Sequence, residues 1–294
     1  MNAIIFDTGL IDKPGLYSMT SEQYHADPCA KASASHSLLK LVINRTPYHA
    51  MKHHPKMGAM PMTPSRAMTV GSTAHTLVLG KGTMLEVIDF PDYRKKEAQQ
   101  FRDAALASRR VPVLAADFEL AQEMVPAGRA AIEDQLGAKL SECLIEVVVI
   151  ARDPISGCYR RIMVDAMTPD LRRMCDYKTT QDANPDMFAR SVARFGYDTQ
   201  DVFYKHVADL IDPDGIGKRD YSIIAQEVKY PDAITLHQID NDLHAVAELK
   251  VKKALATWDA CLAADQWPAY SREVNMIQAK DWQITEALTE GADV

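Results

Sequence analysis

The rhythm of apolar and polar positions is most legible between residues 144 and 264. Leu144 to Ile150 is a β-branched, apolar run, as expected of a buried strand. Asp153-Pro154-Ile155-Ser156-Gly157 then reads as a turn, with proline setting φ and glycine supplying a positive φ. Cys158 to Ala166 predicts the returning strand, Thr168-Pro169-Asp170 a second turn, and Arg173 to Thr179 a third strand, giving an antiparallel meander. A helix is expected from Pro185 to Leu210, with Pro185 suited to its first turn. A further strand follows at Tyr221 to Val228, and a long helix from Asn241 to Ala264 ends before Trp267-Pro268. Nearer the N-terminus the pattern is weaker. Residues 1–34 read as irregular, and Ser35 to Ile43 as a short helix opened by a serine cap and closed before Pro47. Pro55 to Thr69 holds three prolines, four methionines and a glycine, which predicts a loop. A second helix is expected from near Ser72, carrying His75 with Leu77, Val78 and Leu79. Tyr93 to Gly137 predicts two or three amphipathic helices, interrupted near Val111-Pro112 and Pro126.

No internal repeat or hydrophilic linker divides these elements, so 294 residues predict one large domain with appendages. The expected division is a basic region at 1–70, a core at 71–230, and an edge strand with helices at 231–294. Apolar residues at 47% and charged residues at 25% allow a buried core and exclude a disordered or collagen-like chain. The longest apolar run, Val147 to Ala151, is far short of the roughly 20 residues that span a bilayer. The N-terminus lacks the pattern of a secretory signal. Five scattered cysteines, with no Cys-x-x-Cys pair, suggest neither a disulfide framework nor a metal cluster. The expectation is a soluble, reduced, cytoplasmic protein.

A net charge of -7 argues against a polyanionic partner until its distribution is considered. From Pro28 to Leu85 there is no acidic residue, but there are seven basic ones: Lys31, Lys40, Arg45, Lys52, Lys56, Arg66 and Lys81. The remainder carries 26 basic and 40 acidic residues, or -14. Such asymmetry fits a polyanion-binding arm, and equally a solvated basic face.

Three acids and a lysine, Glu146, Asp165, Asp176 and Lys178, fall on adjacent predicted strands. Asp176 and Lys178, two apart, project from one face, and Tyr177 points away while leaving its backbone carbonyl near the same place. Converging carboxylates are hard oxygen ligands suited to Mg²⁺ or Mn²⁺. A metal held there can lower the pKa of bound water and stabilise charge on a phosphoryl group. Lys178 can orient or deprotonate that water, or hold the developing charge. Asp-x-Lys is common by itself, and a lone His75 on a helix can simply be satisfied by a neighbour. Gln200 and Tyr204 fall one turn apart on one helix face.

These motifs in this order resemble the RecB/lambda-exonuclease-like branch of the PD-(D/E)xK nucleases, and more narrowly the phage and prophage exonuclease VIII type. Ser35-His36-Ser37-Leu38-Leu39-Lys40 before Pro47, and Trp267-Pro268-Ala269-Tyr270, are also similar to that family. The resemblance covers about residues 15–275. It departs at Met163-Val164-Asp165, where a glycine or proline commonly precedes the aspartate. The resemblance implies His75, Asp165, Asp176 and the Tyr177 carbonyl as metal ligands, and Lys178 as the residue that positions the attacking water. Glu146 would support the metal or its waters, while Gln200 and Tyr204 would position the nucleic-acid backbone.

The expected fold is α/β, a three-layer restriction-endonuclease-like core of order αβββαβ with a mixed sheet and helical additions. The expected activity is Mg²⁺- or Mn²⁺-dependent exonucleolytic hydrolysis of duplex DNA ends, 5′ to 3′, exposing single strands for phage-type recombination. Arg45, Lys52 and Arg66 are the expected DNA contacts. The resemblance further implies a homo-oligomeric ring, a single-strand annealing partner, and a phage or prophage origin in a bacterial cytoplasm. The rivals are another nuclease on this fold and a non-catalytic DNA-binding protein. The lack of a cysteine cluster speaks against an iron–sulfur nuclease.

Overall fold

The computed structural model describes residues 3–60 and 66–290, the side chains of 66–68 and 290 excepted. The strands are β1 (Ile4–Ile5), β2 (Gly15–Ser18), β3 (Ser33–Ala34), β4 (Leu85–Ile88), β5 (Val111–Leu114), β6 (Leu144–Arg152), β7 (Tyr159–Met167), β8 (Arg173–Thr180), β9 (Asp220–Glu227) and β10 (Ile234–His237). The helices are α1 (Ser21–His25), α2 (His36–Asn44), α3 (Pro47–His53), α4 (Arg66–Leu79), α5 (Lys96–Ala107), α6 (Ala115–Glu123), α7 (Val125–Leu136), α8 (Pro185–Phe195), α9 (Tyr197–Ile211), α10 (Asn241–Ala264) and α11 (Asp281–Glu290).

A mixed sheet runs in the order β1-β2-β6-β7-β8-β9-β10, with β3 paired to β7. The β6-β7-β8 meander is antiparallel and β8 pairs parallel with β9, so α8 and α9 form the crossover that a parallel pair requires. One sheet face packs Val147, Val149, Ile162, Val164, Ile223 and Ala225 against apolar residues of α2, α9 and α10, including the fully buried Trp258. The other packs Ala166, Cys175, Tyr177 and Ile224 against α4, α6 and α7. The result is the three-layer α/β arrangement with order αβββαβ.

Several elements differ from the sequence pattern, each because a distant partner decides it. Residues 1–34 are not irregular. They supply β1, β2 and β3, because β6 offers an edge that takes four residues of β2 and β7 one that takes β3. The expected helix at 185–210 is two helices. Gly196 adopts φ +75 between them, a conformation that ends α8 and costs glycine little. Ser35 does cap α2 by position, but its hydroxyl contacts Ser37 Oγ at 3.1 Å instead of the helix backbone. Pro47 opens α3. The helix carrying His75 starts at Arg66, earlier than Ser72. Val111-Pro112 belongs to β5, which pairs with β4 in a separate two-stranded sheet, where a proline is tolerated at an edge. Part of the expected loop, 61–65, lies outside the described residues.

A buried polar knot ties the N-terminal segment to this body. Asp27 is 2% exposed and at φ +59. It accepts from the Ser33 N–H at 2.9 Å and the Ser33 hydroxyl at 2.8 Å, and faces His54 Nε2 at 3.1 Å and Arg161 Nη1 at 3.3 Å. Burial opposes ionisation, but His54, Arg161 and Ser33 outweigh it and hold the carboxyl well below its usual range. The fold therefore favours the ionised form. Its stabilisation is complete above the ordinary aspartate pKa of about 3.9 and is lost as pH falls below that value. Asp27→Asn, which tolerates the positive φ, should cost about 3 kcal/mol at pH 7 in urea unfolding. The gap to the parent protein should narrow at pH 3. An equal gap at both values would mean that the carboxylate charge contributes nothing.

Candidate functional site

β7 and β8 pair over only two residues, Ala166↔Cys175 and Met167↔Met174, and then separate while β8 stays paired with β9 for eight. The fork between them would leave backbone groups without partners. Asp165 fills it, its Oδ2 accepting the Tyr177 N–H at 2.8 Å. A residue in an extended strand directs its N–H and C=O to the same side, so the Tyr177 carbonyl also faces the fork. The Tyr177 ring is anchored on the far face, where its hydroxyl donates to Gln226 Oε1 at 2.5 Å.

The strand beside the fork is distorted as well. The β6–β7 ladder pairs Ile145 with Ala166 and Val147 with Val164, skipping Glu146 and Asp165 between them. Ile145 and Ala166 pack on the α4 and α7 side, whereas Val147 and Val164 pack on the opposite face. Regular strands would place residues two apart on the same face. Both strands thus change phase at this pair, and Glu146 takes a left-handed φ of +43 to do so. Such backbone costs an ordinary residue on the order of 1–3 kcal/mol and persists only where its surroundings hold it. Lys81 provides one restraint, donating from Nζ to the Ile145 carbonyl at 2.8 Å and to Ser18 Oγ at 3.3 Å.

Into this fork α4 projects His75, whose Nε2 lies 3.1 Å from Asp165 Oδ1 and whose Nδ1 lies 3.6 Å from Glu146 Oε1. On β8, Lys178 Nζ lies 2.6 Å from Asp176 Oδ2, while Gln200 on α9 donates to Asp176 Oδ1 at 2.8 Å. Tyr204, one turn along, is buried, interacts with Gln200 and packs edge-on to Tyr221. His75, Glu146, Asp165, Asp176, Tyr177, Lys178, Gln200 and Tyr204 all line one open groove of about 710 Å³. Arg45 and Lys52 do not line it. Arg45 is exposed at the end of α2, and Lys52 lies over the Tyr48 ring at 5.4 Å. The Arg66 side chain lies outside the described residues. Lys81 approaches Glu146 through tertiary folding alone, and sequence reading did not single it out.

The charges are interdependent. Burial pushes Glu146 up, with Asp165 adding to it against His75 and Lys81. Burial would raise Asp165 too, but His75, Lys178 and the Tyr177 N–H hold it below the carboxylate range. Asp176 is raised, chiefly by burial, with Asp165 opposing the effect of Lys178. Burial disfavours the charge on Lys178, but Asp176 and Asp165 outweigh it and raise its pKa. Burial of Tyr204 pushes its phenol well up.

Among the described residues, no three His, Cys, Asp or Glu side chains are arranged around a common point as metal ligands. The Asp165 oxygens are engaged by His75 and the Tyr177 N–H, and those of Asp176 by Lys178 and Gln200. The donor set nonetheless fits a divalent cation chemically. Two aspartates, a glutamate, a backbone carbonyl and one imidazole on a single groove wall are the hard and borderline ligands that Mg²⁺ or Mn²⁺ accepts.

His75 gives a direct test of the cluster. Burial lowers its pKa, but Asp165 and Glu146 more than compensate, so it stands above its ordinary value. In Asp165→Asn the burial and the Lys178 charge remain while the main counter-charge is gone. Its titration midpoint, followed by NMR, should then fall below about 6.5. An unchanged midpoint would break the pairing of His75 with Asp165.

A family model, the PDDEXK-like domain of unknown function (DUF3799), matches residues 35–280. No curated protein sequence matches the chain. Among solved structures, a candidate exonuclease from Eubacterium rectale superposes with a TM-score of 0.55 at 15% identity, covering 91% of this chain and 98% of that one. A phage-related exonuclease from Haemophilus somnus covers 80% of this chain and 96% of its own at 13% identity and a TM-score of 0.32. An alkaline exonuclease from Laribacter hongkongensis covers 67% and 91% at 14% identity and a TM-score of 0.27. The Eubacterium match shows a shared fold, and the family match runs from the residue that caps α2 to the residue before α11. The chain belongs to the PDDEXK-like DUF3799 family.

Proposed function

We propose that the protein is a divalent-metal-dependent deoxyribonuclease that degrades duplex DNA from its ends, 5′ to 3′. The observation that carries this reading is the fork, where Asp165, Asp176 and Lys178 meet His75 and Glu146 on one wall of an open groove. The family match and the exonuclease name of the Eubacterium rectale neighbour support it from outside the site. Asp165, Asp176, His75 and the Tyr177 carbonyl are the proposed metal ligands. The cation, Mg²⁺ or Mn²⁺, supplies water acidification and phosphoryl charge stabilisation when bound. Gln200 holds Asp176 in place by its hydrogen bond, and Tyr204 supports Gln200. Both also face the groove, where they are proposed to position the DNA backbone. Lys178 presents its ammonium to the scissile phosphate and the attacking water. Glu146, 3.6 Å from His75 Nδ1, is proposed to support the cation or its waters.

Three further parts of the reading rest on the family resemblance alone: a homo-oligomeric ring, a single-strand annealing partner, and a recombination role in the cytoplasm of a phage-carrying bacterium. The whole chain is proposed to act as one nuclease domain. Among the described residues, no helix is long and apolar enough to cross a membrane. Arg45 and Lys52, which do not line the groove, and Arg66 are proposed as phosphate contacts. Each duplex phosphate neutralised contributes about -0.9 to the slope of log affinity against log salt. Their combined replacement by alanine should flatten that slope on every DNA sequence, as measured by salt titration in Ca²⁺. An unchanged slope would make them a solvated face.

The decisive experiment incubates linear and covalently closed circular duplex with Mg²⁺ or Mn²⁺. The linear form should be degraded and the circle spared, and Asp176→Ala should degrade neither while remaining folded. Cleavage of the closed circle would replace the exonuclease reading with an endonuclease, and inertness towards both would remove the nuclease reading. Lys178→Ala should lower kcat about a hundredfold or more while leaving DNA affinity nearly intact. A large loss of affinity with turnover preserved would reduce Lys178 to a phosphate contact.

A further inference from the structure

Beside its charged wall the groove ends in an exposed aromatic lip. Phe195, the last residue of α8, is 41% exposed there, on the same groove as Lys178 and Gln200. Its ring is the outer end of a ladder that runs back into the core. Phe195 packs on Tyr197 with centroids 5.8 Å apart, Tyr197 stacks on Phe188 at 5.9 Å, and the fully buried Phe188 stacks on His237 of β10 at 4.5 Å. These separations are those of favourable aromatic pairs. The left-handed Gly196 sets the geometry, because it lets two rings in adjacent helices, two residues apart, lie against one another.

Cations surround the same lip. Arg194 lies 5.4 Å from the Phe195 ring centroid, and Lys178 Nζ lies 5.1 Å from that of Tyr197. Lys40 packs its stem so close to Gly196 that an added Cβ would lie 3.4 Å from its Cδ. Burial and the charge of Lys178 both lower the Lys40 pKa, so the two ammonium groups sense each other. An outward-facing ring on a rigid aromatic base, with Arg194 on the ring, Lys40 at Gly196 and the Asp176-paired Lys178 at the next ring, has the two components that bind a nucleotide: a platform for the base and charge for its phosphate.

We propose that Phe195 is a stacking platform for an unpaired nucleobase, at the end of the DNA strand whose phosphate lies at Lys178. Bases within a duplex are already stacked, so the ring serves a terminal or frayed nucleotide and gives the groove a preference for DNA ends. This deepens the nuclease reading and rests on it. Because stacking on a π-face is tolerant of base identity, it adds affinity for an end without adding sequence preference.

The test is binding by the full chain, so it is separate from turnover. The probe is a fluorescein-labelled duplex with a short single-stranded end carrying 2-aminopurine at its last position, titrated in EDTA and again in Ca²⁺. The parent protein should change the 2-aminopurine emission on binding. Phe195→Ala should abolish that change and weaken binding about tenfold, and Phe195→Trp should restore both. Removing the terminal base from the probe should weaken binding by the parent by a similar factor, and by Phe195→Ala no further. Affinity of Phe195→Ala equal to the parent on the intact end, or equal sensitivity of both proteins to base removal, would overturn the platform while leaving the nuclease reading standing. Failure of the parent protein to bind any DNA would overturn both.

Discussion

The separation of β7 from β8 is the constraint on which the rest of the site depends. A strand that releases one neighbour while keeping the other exposes backbone groups inside a packed body, where each unpaired group costs free energy. The carboxylate of Asp165 meets that need by accepting the Tyr177 N–H. The bond fixes one carboxylate at the apex of the fork and turns a backbone carbonyl towards it. Asp176 and Lys178, on the diverging strand, are thereby held opposite His75 on α4.

The second consequence is electrostatic. Three carboxylates meet the His75 imidazole and the Lys178 ammonium, with Lys81 beside them. Removing charges from water is costly unless they are paired and hydrogen-bonded. Each carboxylate accordingly has a close partner: His75 for Asp165 and Glu146, Lys178 for Asp176. Burial and mutual repulsion raise two of the acids and the pairing lowers the third, so the cluster shares its protons unevenly. The left-handed backbone at Glu146 belongs to the same account. It is a local cost that redirects two strands at once, and the Lys81 bond to the preceding carbonyl helps to hold it.

The groove also joins two kinds of surface. Its floor is charged and hydrogen-bonded, built from strands and from the face of α9. Its lip is aromatic, built where α8 gives way to α9, and its rigidity comes from rings that reach the edge strand β10. Both depend on the crossover between the parallel strands β8 and β9, which brings α9 over the fork and leaves the α8 terminus beside it.

Much of this was legible in the residues. The period-two spacing of Asp176 and Lys178 places both on one face in any strand, and the α10 boundaries follow from its flanking residues. The order of His75, Glu146, Asp165, Asp176, Lys178 and Gln200 carried the family resemblance, since chemistry needs those residue types whatever holds them. The rest lay beyond local pattern. Leu144 to Arg152 is buried on both faces for most of its length, so a change of pleat phase leaves no trace in its hydrophobicity. The strands in residues 1–34 exist because β6 and β7 present open edges, and the break at Gly196 fell inside a stretch read as one helix. The fork itself forms because β8 stays with β9 on one edge while parting from β7 on the other, and β9 lies more than 40 positions along the chain. Side-chain type and spacing report what a segment can offer. Only the tertiary structure decides which partner accepts it, because strand pairing, burial and counter-charge are satisfied between segments that the sequence keeps apart.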